Sequence, residues 1–195
     1  MAGSVDHMMA DFWVFGYGSL MWRPGFRFEE KRLARIHGAH RSLCVYSYVH
    51  RGTPERPGLV LGLDRGGSCW GTAFRVKEAL RDEVIAYLRG REQVTMVYLE
   101  AVRRVTLAGE AEAREVDAVC YVADRTHEQY AGRLSVDDQA RIVLQGVGGS
   151  GPNPEYLDNM VRHLDEIGLP DRELHQVNQA VQAHLNGAAA DPTGT

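Results

Sequence analysis

The stretch FWVFGYGSL, residues 12–20, constrains the fold more than any other part of the chain. Its first four residues are apolar and aromatic, which favours a buried β-strand from Phe12 to Phe15. Gly16 and Gly18 then predict a turn in which the backbone can approach a ligand closely. Such a turn either only connects two secondary-structure elements or forms a ligand-binding loop, and the stretch alone leaves both interpretations open.

The two glycines do not extend to a dinucleotide-binding fingerprint. That motif needs a third glycine at position 21, which is Met21 in this chain. Residues 22–25 are typical of a turn rather than of the start of a helix. The sequence also contains no Gly-Lys-Ser/Thr phosphate loop. Nucleotide binding is therefore not predicted, and no cofactor is expected.

The composition is that of an ordinary globular protein. Of the 195 residues, 44% are hydrophobic and 25% are charged, and the formal net charge is −4. Lys and Arg are scattered rather than clustered, which argues against a nucleic-acid partner. No stretch approaches the ~20 apolar residues of a membrane span, and the N-terminus lacks a signal-peptide core. We therefore expect a cytoplasmic monomer with no membrane or nucleic-acid partner.

The cysteines and histidines do not form a recognisable metal site. Cys44, Cys69 and Cys120 lie in separate strand-like apolar runs, so we expect buried reduced thiols rather than disulfides or zinc ligands. His37 and His40 are close together, but no carboxylate stands near them in metalloprotease spacing. We interpret both histidines as surface or loop residues and predict no metal.

Hydrophobic periodicity predicts strands in the first half of the chain and helices at its end. The expected strands are 12–15, 41–49, 59–63, 68–76, 97–107 and 118–123, with a hairpin turn at 64–67. The expected helices are 78–89 and three that begin after Ser135, Asn153-Pro154 and Asp171. Because strands and helices do not alternate regularly, we predict an α+β fold with a small mixed, partly closed β-barrel and flanking helices.

We expect one domain over residues 9–187. Residues 1–8 contain Gly3-Ser4 and His7-Met8, which are typical of translated cloning sites, and we interpret them as a cloning remnant. Residues 188–195 are expected to be a disordered tail.

Glu92 is the candidate catalytic group. If the helix that contains Leu88 continues past Gly90, the carboxylate of Glu92 lies on the apolar side of that helix. A carboxylate turned toward the core has a raised pKa, which suits a general base near neutral pH. The alternative is a structural ion pair with one of three arginines, Arg75, Arg89 or Arg91. The residues alone leave both interpretations open.

Several motifs together resemble the ChaC family of γ-glutamylcyclotransferases. They are, in order, FGYGSLMWRPGF (15–26), HRGTPERPGLVLGL (50–63), GGSCWGTAFRV (66–76), REQVTMVY (91–98) and GPNPEYL (151–157). The resemblance runs from about Trp13 to Leu185. It implies a small mixed barrel flanked by helices and the intramolecular cleavage of glutathione to 5-oxoproline and cysteinylglycine.

The resemblance also implies a set of site residues. The substrate-cradling loop of the family is matched by Phe15, Gly16, Tyr17, Gly18, Ser19 and Leu20. Glu92 matches the catalytic glutamate, Tyr98 an aromatic residue shortly after it, and Tyr121 a tyrosine that lines the pocket. Arg51 is either a ligand for a carboxylate of the peptide or an exposed turn arginine. Met96 stands where the family commonly has glycine, which bears on pocket width and substrate preference.

Two other functions stay open beside glutathione cleavage. One is a cyclotransferase that acts on other γ-glutamyl amino acids or on γ-glutamylamines. The other is a non-catalytic γ-glutamyl-binding regulatory module, against which the intact Glu92 argues. Glutathione is the expected small-molecule partner, with neither metal nor cofactor.

Overall fold

The computed structural model describes residues 11–109 and 113–190. Within them five strands close into a barrel: β1 (Phe12–Gly16), β2 (Glu30–Ser47), β3 (Gly58–Val76), β4 (Tyr98–Leu107) and β5 (Arg114–Ala123). Their spatial order is β1-β3-β2-β4-β5. Closure comes from β1, which pairs antiparallel with β3 and parallel with β5. The predicted α+β fold with a small mixed barrel is confirmed, and the barrel is fully closed.

Four helices flank the barrel in the described residues: α1 (Arg81–Glu92), α2 (Val136–Gln145), α3 (Asn153–Glu166) and α4 (Arg172–Ala190). Short 3-10 helices stand at Ser19–Met21 and Glu78–Leu80, and the two-residue strands β6 (Val147–Gly148) and β7 (Gly151–Pro152) pair between α2 and α3. Val84 and Leu88 of α1 pack with Val119 of β5. The other three helices join the main core with β2 and β3. No helix in these residues has both the length and the apolarity to cross a membrane.

β3 is one long strand, where the sequence predicted two shorter strands and a turn. It runs unbroken through residues 64–67, so the predicted hairpin there is wrong. Gly66 and Gly67, with φ of 100° and 67°, instead form an irregularity opposite Gly38, with φ of 77°. Glycine bulges of this kind bend paired strands without ending the pairing, and this bend curls the sheet.

β2 begins at Glu30, well before the predicted strand at 41–49. His37 and His40 lie within this strand, His37 exposed and His40 partly exposed, so of the two alternatives, surface or loop, the surface position applies. Ala34 and Ile36 are fully buried and alternate with more exposed residues, which is the pattern of a strand with one buried face. As predicted, all three cysteines are buried and free.

The predicted helix starts are confirmed at two positions. The Ser135 side chain accepts a hydrogen bond from the Asp138 amide (3.1 Å), and the Asp171 side chain accepts one from the Leu174 amide (3.2 Å). Asn153 does not cap α3 as predicted, because it is the first residue of that helix and its side chain binds β3 instead.

The chain ends differ in part from the prediction. α4 continues to Ala190, three residues into the segment that was expected to be disordered, where a run of alanines favours helix. Residues 191–195 and the predicted cloning remnant, 1–8, lie outside the described residues. The single domain over 9–187 stays a prediction.

Asn153 anchors α3 to the edge of β3. Its Oδ1 accepts from the Leu59 amide (2.6 Å), and its Nδ2 donates to the Leu59 carbonyl (2.9 Å). Both residues are fully buried, so water does not satisfy these two backbone groups. The side-chain amide thus does what a neighbouring strand would do, and it sets the first turn of α3 against the sheet.

Replacing Asn153 with alanine would leave the N–H and C=O groups of Leu59 buried without partners. Because each such group costs about 1–3 kcal/mol, we expect the free energy of unfolding to fall by at least about 2 kcal/mol. Urea denaturation followed by circular dichroism measures the loss. Asn159→Ala is the matched control, since Asn159 is exposed on the same helix and its replacement should change stability by less than about 0.5 kcal/mol. Equal losses in both variants would contradict the anchoring role.

Candidate active site

A cavity of about 800 Å³ lies where the end of β1 meets β3 and the end of α1. Eight of the predicted site residues line it: Tyr17, Gly18, Ser19, Leu20, Arg51, Glu92, Tyr98 and Tyr121. The fold therefore brings together residues that are widely separated in the chain. A cavity of this size suits a small-molecule ligand.

Phe15 and Gly16, also predicted in the substrate loop, are not among the lining residues. Phe15 is fully buried in the main core, because it belongs to β1 and packs inside the barrel. A Cβ atom on Gly16 would lie 2.9 Å from the Cβ of Leu20. The absence of a side chain at Gly16 thus lets the chain turn tightly, which puts the β1 turn (Tyr17–Leu20) on the cavity wall.

Two arginines from distant parts of the chain hold the β1 turn in place. The buried Arg41 donates from Nε to the carbonyl oxygen of Tyr17 (2.6 Å). Arg91, in the last turn of α1, donates from Nη2 to Oγ of Ser19 (2.8 Å). Hydrogen bonds from ionised donors are among the stronger ones, so the turn is ordered before any ligand enters.

Tyr98 and Tyr156 are held together by one residue of β3. The Tyr98 hydroxyl donates to the Leu61 carbonyl (2.7 Å), and the Tyr156 hydroxyl accepts from the Leu61 amide (3.2 Å). Burial raises the pKa of Tyr156 to about 12, so that hydroxyl is neutral at pH 7. The sequence did not single out Tyr156, although it lies in the GPNPEYL motif one turn after Asn153.

Tyr121 is oriented by a charged pair outside the barrel. Its hydroxyl donates to Oε2 of Glu100 (3.0 Å), and Glu100 accepts two hydrogen bonds from Arg89 (both 2.8 Å). The hydrogen bonds from Arg89 hold the pKa of Glu100 below its usual value, and burial together with Glu100 raises the pKa of Tyr121. Glu100 is therefore an anion at neutral pH, and Tyr121 is a neutral hydroxyl with a fixed direction.

Glu92 is the last residue of α1, which continues through Gly90. Its side chain is 18% exposed and lines the cavity. Burial raises the pKa of the Glu92 carboxyl above its ordinary value, and the opposing effect of Arg91 is smaller, although Arg91 Nε lies 3.1 Å from Glu92 Oε1. An elevated carboxyl pKa in a cavity is typical of a proton-transfer group.

Of the three arginines considered as ion-pair partners for Glu92, one contacts it. Arg75 and Arg89 pair with other carboxylates, and Arg91 contacts Glu92. Arg91 also donates to the carbonyl oxygen of Arg23 (2.6 Å), so its guanidinium is shared among several acceptors. Because of this sharing, the pairing does not offset the cost of burying the carboxylate.

Arg51 is half-buried and contributes a cation to the cavity wall. Its guanidinium carbon lies 5.4 Å from the centroid of the Tyr156 ring, and its Nη1 donates to the carbonyl oxygen of Pro152 (3.2 Å). A guanidinium has five N–H donors, so Arg51 can still bind a carboxylate. The alternative of an exposed turn arginine does not agree with this placement.

Met96 does not narrow the cavity, because it is not among the lining residues and its side chain is 59% exposed. Its φ of 61° is the left-handed conformation that glycine adopts most easily.

In the described residues, no group of three or more His, Cys, Asp and Glu side chains is placed to hold a metal ion.

Comparison with known proteins identifies the family of this chain. A family model described as ChaC-like protein matches residues 12–184. The chain belongs to the ChaC-like family. One ChaC-like relative, the glutathione-specific γ-glutamylcyclotransferase of Escherichia coli K12, is 31% identical over 173 residues, which cover 89% of this chain and 74% of the relative. Human glutathione-specific γ-glutamylcyclotransferase 1 is 32% identical over 186 residues, with coverage of 94% and 78%.

Solved structures show the same fold. A crystal structure of a γ-glutamylcyclotransferase specific to glutathione from yeast has a TM-score of 0.81 and covers 89% of this chain and 96% of that chain, at 23% identity. A second structure, named γ-glutamyl cyclotransferase, has a TM-score of 0.52 at 16% identity and covers 86% of each chain. At these identities the likeness shows the fold alone.

The opposite pKa shifts of Glu92 and Glu100 predict opposite pH dependences for their glutamine variants. The raised pKa of Glu92 means that its contribution to stability is present at low pH and is lost as the pH rises through the folded pKa. Relative to wild type, Glu92→Gln should therefore gain stability as the pH rises above about 4.5. The lowered pKa of Glu100 has the reverse sign, so Glu100→Gln should be destabilised at neutral pH, with the deficit vanishing in acid.

Unfolding in urea from about pH 4 to about pH 8 measures both variants against wild type. Each variant is the control for the other, because both remove a carboxylate near the cavity. A Glu92→Gln protein that is less stable than wild type at neutral pH would show that Glu92 is a structural ion-pair partner.

Proposed function

We propose that this protein is a glutathione-specific γ-glutamylcyclotransferase that converts glutathione to 5-oxoproline and cysteinylglycine. The observation that carries the proposal is Glu92, a largely buried carboxylate with a raised pKa on the wall of a cavity shared with the β1 turn. Relatives at 31% and 32% identity bear this activity in their names. The cytoplasmic location and the monomeric state that the sequence suggests stay predictions.

The substrate supplies its own nucleophile. The α-amine of the γ-glutamyl group attacks the γ-carbonyl carbon, and the new C–N bond closes a five-membered lactam. The bond that breaks joins the same carbon to the cysteinyl nitrogen. Neither a protein nucleophile nor an activated water is needed. The enzyme has to hold the amine against the carbonyl, an orientation effect that is worth roughly 7–11 kcal/mol in favourable cases.

Glu92 serves both proton transfers in this scheme. The carboxylate takes a proton from the α-ammonium group and so frees the amine for attack. That proton is then delivered to the cysteinyl nitrogen as the C–N bond breaks. The attacking nitrogen loses its second proton through the same carboxylate, which leaves a neutral lactam and the amino group of cysteinylglycine in its ammonium form. Because burial raises its pKa, the Glu92 carboxylate accepts a proton more readily than an ordinary carboxylate, and the acid that forms can return it.

The β1 turn is the candidate for binding the developing charge. As the amine attacks, negative charge accumulates on the γ-carbonyl oxygen. Tyr17–Leu20 line the cavity, and we assign to their backbone amides the stabilisation of this charge or the binding of the α-carboxylate. Because Arg41 and Arg91 already hold this turn, the amides need no reorganisation during the reaction.

Glu92→Gln is expected to lower glutathione turnover by roughly 10²–10⁴-fold, since glutamine keeps the shape but does not accept the ammonium proton. Mass spectrometry of 5-oxoproline measures turnover, and titration calorimetry should show that glutathione binding largely survives. Asp82→Asn is the matched control, because Asp82 is exposed on the same helix and does not line the cavity. A folded Glu92→Gln enzyme that retains more than about a tenth of wild-type turnover would remove Glu92 as the base.

Glutathione that is acetylated on its α-amine should not react, because the acetyl group abolishes the nucleophile. We expect no cyclised product when this peptide is incubated with the enzyme under conditions that consume glutathione. γ-Glutamyl-alanine is the companion substrate, since it keeps the amine but lacks the cysteinylglycine portion. Release of N-acetylglutamate from the acetylated peptide would mean that water attacks. Equal turnover of γ-glutamyl-alanine and glutathione would favour the broader γ-glutamyl specificity.

A further inference from the structure

The cavity contains two cations that the mechanism above leaves unused. Three arginines line it: Arg23, Arg51 and Arg91. Arg91 pairs with Glu92 and donates to three further acceptors. Arg51 gives one N–H to a backbone carbonyl, and the Arg23 side chain has no hydrogen-bond or ion-pair partner among the described residues. With Arg91 balanced by Glu92, the cavity presents two positive charges.

Arg23 combines a fixed backbone with a free side chain. Its amide donates to the carbonyl oxygen of Ser19 (2.9 Å), and its own carbonyl oxygen accepts from Arg91 Nη1 (2.6 Å). Since Arg91 also contacts Glu92, the Arg23 backbone lies one guanidinium group away from the Glu92 carboxylate. The Arg23 side chain is exposed, so it stands where the cavity opens to solvent.

Arg51 belongs to a different part of the wall and is more constrained. It stacks on Tyr156 of α3 and donates to Pro152 of β7, and its side chain is half-buried. The two guanidinium groups therefore differ in depth. Arg51 is held within the wall, and Arg23 is free at the opening.

Glutathione carries two carboxylates, which match these two charges in number. The α-carboxylate is attached to the carbon that bears the attacking amine, so it has to be held rigidly beside the reacting centre. The glycyl carboxylate lies two residues beyond the γ-carbonyl, at most about 7 Å along an extended chain. A γ-glutamylamine carries only the α-carboxylate and leaves the second cation without a partner.

We propose that Arg23 binds the glycyl carboxylate of glutathione and that Arg51 binds its α-carboxylate. This inference rests on the proposed function. Arg23 is then the residue that distinguishes the tripeptide from shorter γ-glutamyl compounds. The glycyl carboxylate takes no part in bond making, so its contact with Arg23 acts equally on the ground state and the transition state, and it affects KM rather than kcat.

The test compares glutathione with its glycyl monoethyl ester, which keeps the amine, the α-carboxylate and the thiol. Wild type should prefer glutathione in kcat/KM by roughly tenfold, the equivalent of about 1.4 kcal/mol for an exposed charge-assisted contact. In Arg23→Gln the KM for glutathione should rise by this factor of roughly ten, while the kinetic constants for the ester stay unchanged. The ratio of kcat/KM for glutathione to kcat/KM for the ester then falls to about one. Arg23→Lys should restore part of the preference, because the charge is retained.

Arg27→Gln is the matched control, since Arg27 is exposed in the same loop and does not line the cavity. The ratio of kcat/KM for glutathione to that for the ester should be the same in Arg27→Gln as in wild type. An unchanged ratio in Arg23→Gln overturns the proposal. The proposal is also overturned if Arg51→Gln loses the preference for glutathione over the ester while Arg23→Gln keeps it, because the glycyl carboxylate would then bind Arg51. If wild type forms no 5-oxoproline, the proposed function fails. The role of Arg23 is then still tested by calorimetry, which gives the ratio of the dissociation constants of glutathione and its ester for wild type and for Arg23→Gln.

Discussion

Closure of the barrel by β1 is the constraint on which the rest of the site depends. This strand has only five residues, all of them buried, and it uses both edges, one against β3 and the other against β5. Because both edges are hydrogen-bonded, the position at which the chain leaves the sheet is set by strand register rather than by the loop. The tight turn after Gly16 then places the β1 turn beside Glu92 and Leu61 on one cavity wall.

Two arginines, the buried Arg41 and the half-buried Arg91, connect that turn to the other layers. Arg41 donates to the turn and pairs with Asp171, the residue that caps α4 (3.2 Å), so the helical layer and the site share one cation. Arg91 does the same for α1, since it joins the end of that helix to Ser19. Each arginine satisfies several oxygens at once, which suits a rigid, multidentate donor. The site is thereby held by contacts that do not depend on substrate.

Two carboxylates near the cavity show how environment decides chemical role. Glu100 and Glu92 are separated by a short loop, and both have an arginine within hydrogen-bond distance. Glu100 accepts two hydrogen bonds from a single guanidinium, that of Arg89, and stays ionised, which orients Tyr121. Glu92 shares its arginine with other acceptors and is more deeply buried, so desolvation prevails and its pKa rises. One residue type therefore supplies both a fixed anion and a candidate proton carrier.

The sequence by itself determined the α+β class, the buried first strand and the reduced cysteines, because each of these follows from local periodicity or from a contiguous motif. It placed Glu92 on α1 only on the condition that this helix continues past Gly90, which it does in the structure. It also identified eight of the residues that line the cavity through family resemblance. Tertiary structure decided the rest: the continuity of β3 through Gly66 and Gly67, the burial of Phe15 away from the cavity, and the contribution of Tyr156. These features depend on strand register and on contacts between distant residues, such as the bond from Tyr98 to Leu61. Local patterns report which face of an element is buried, and they carry no information on which distant element covers it.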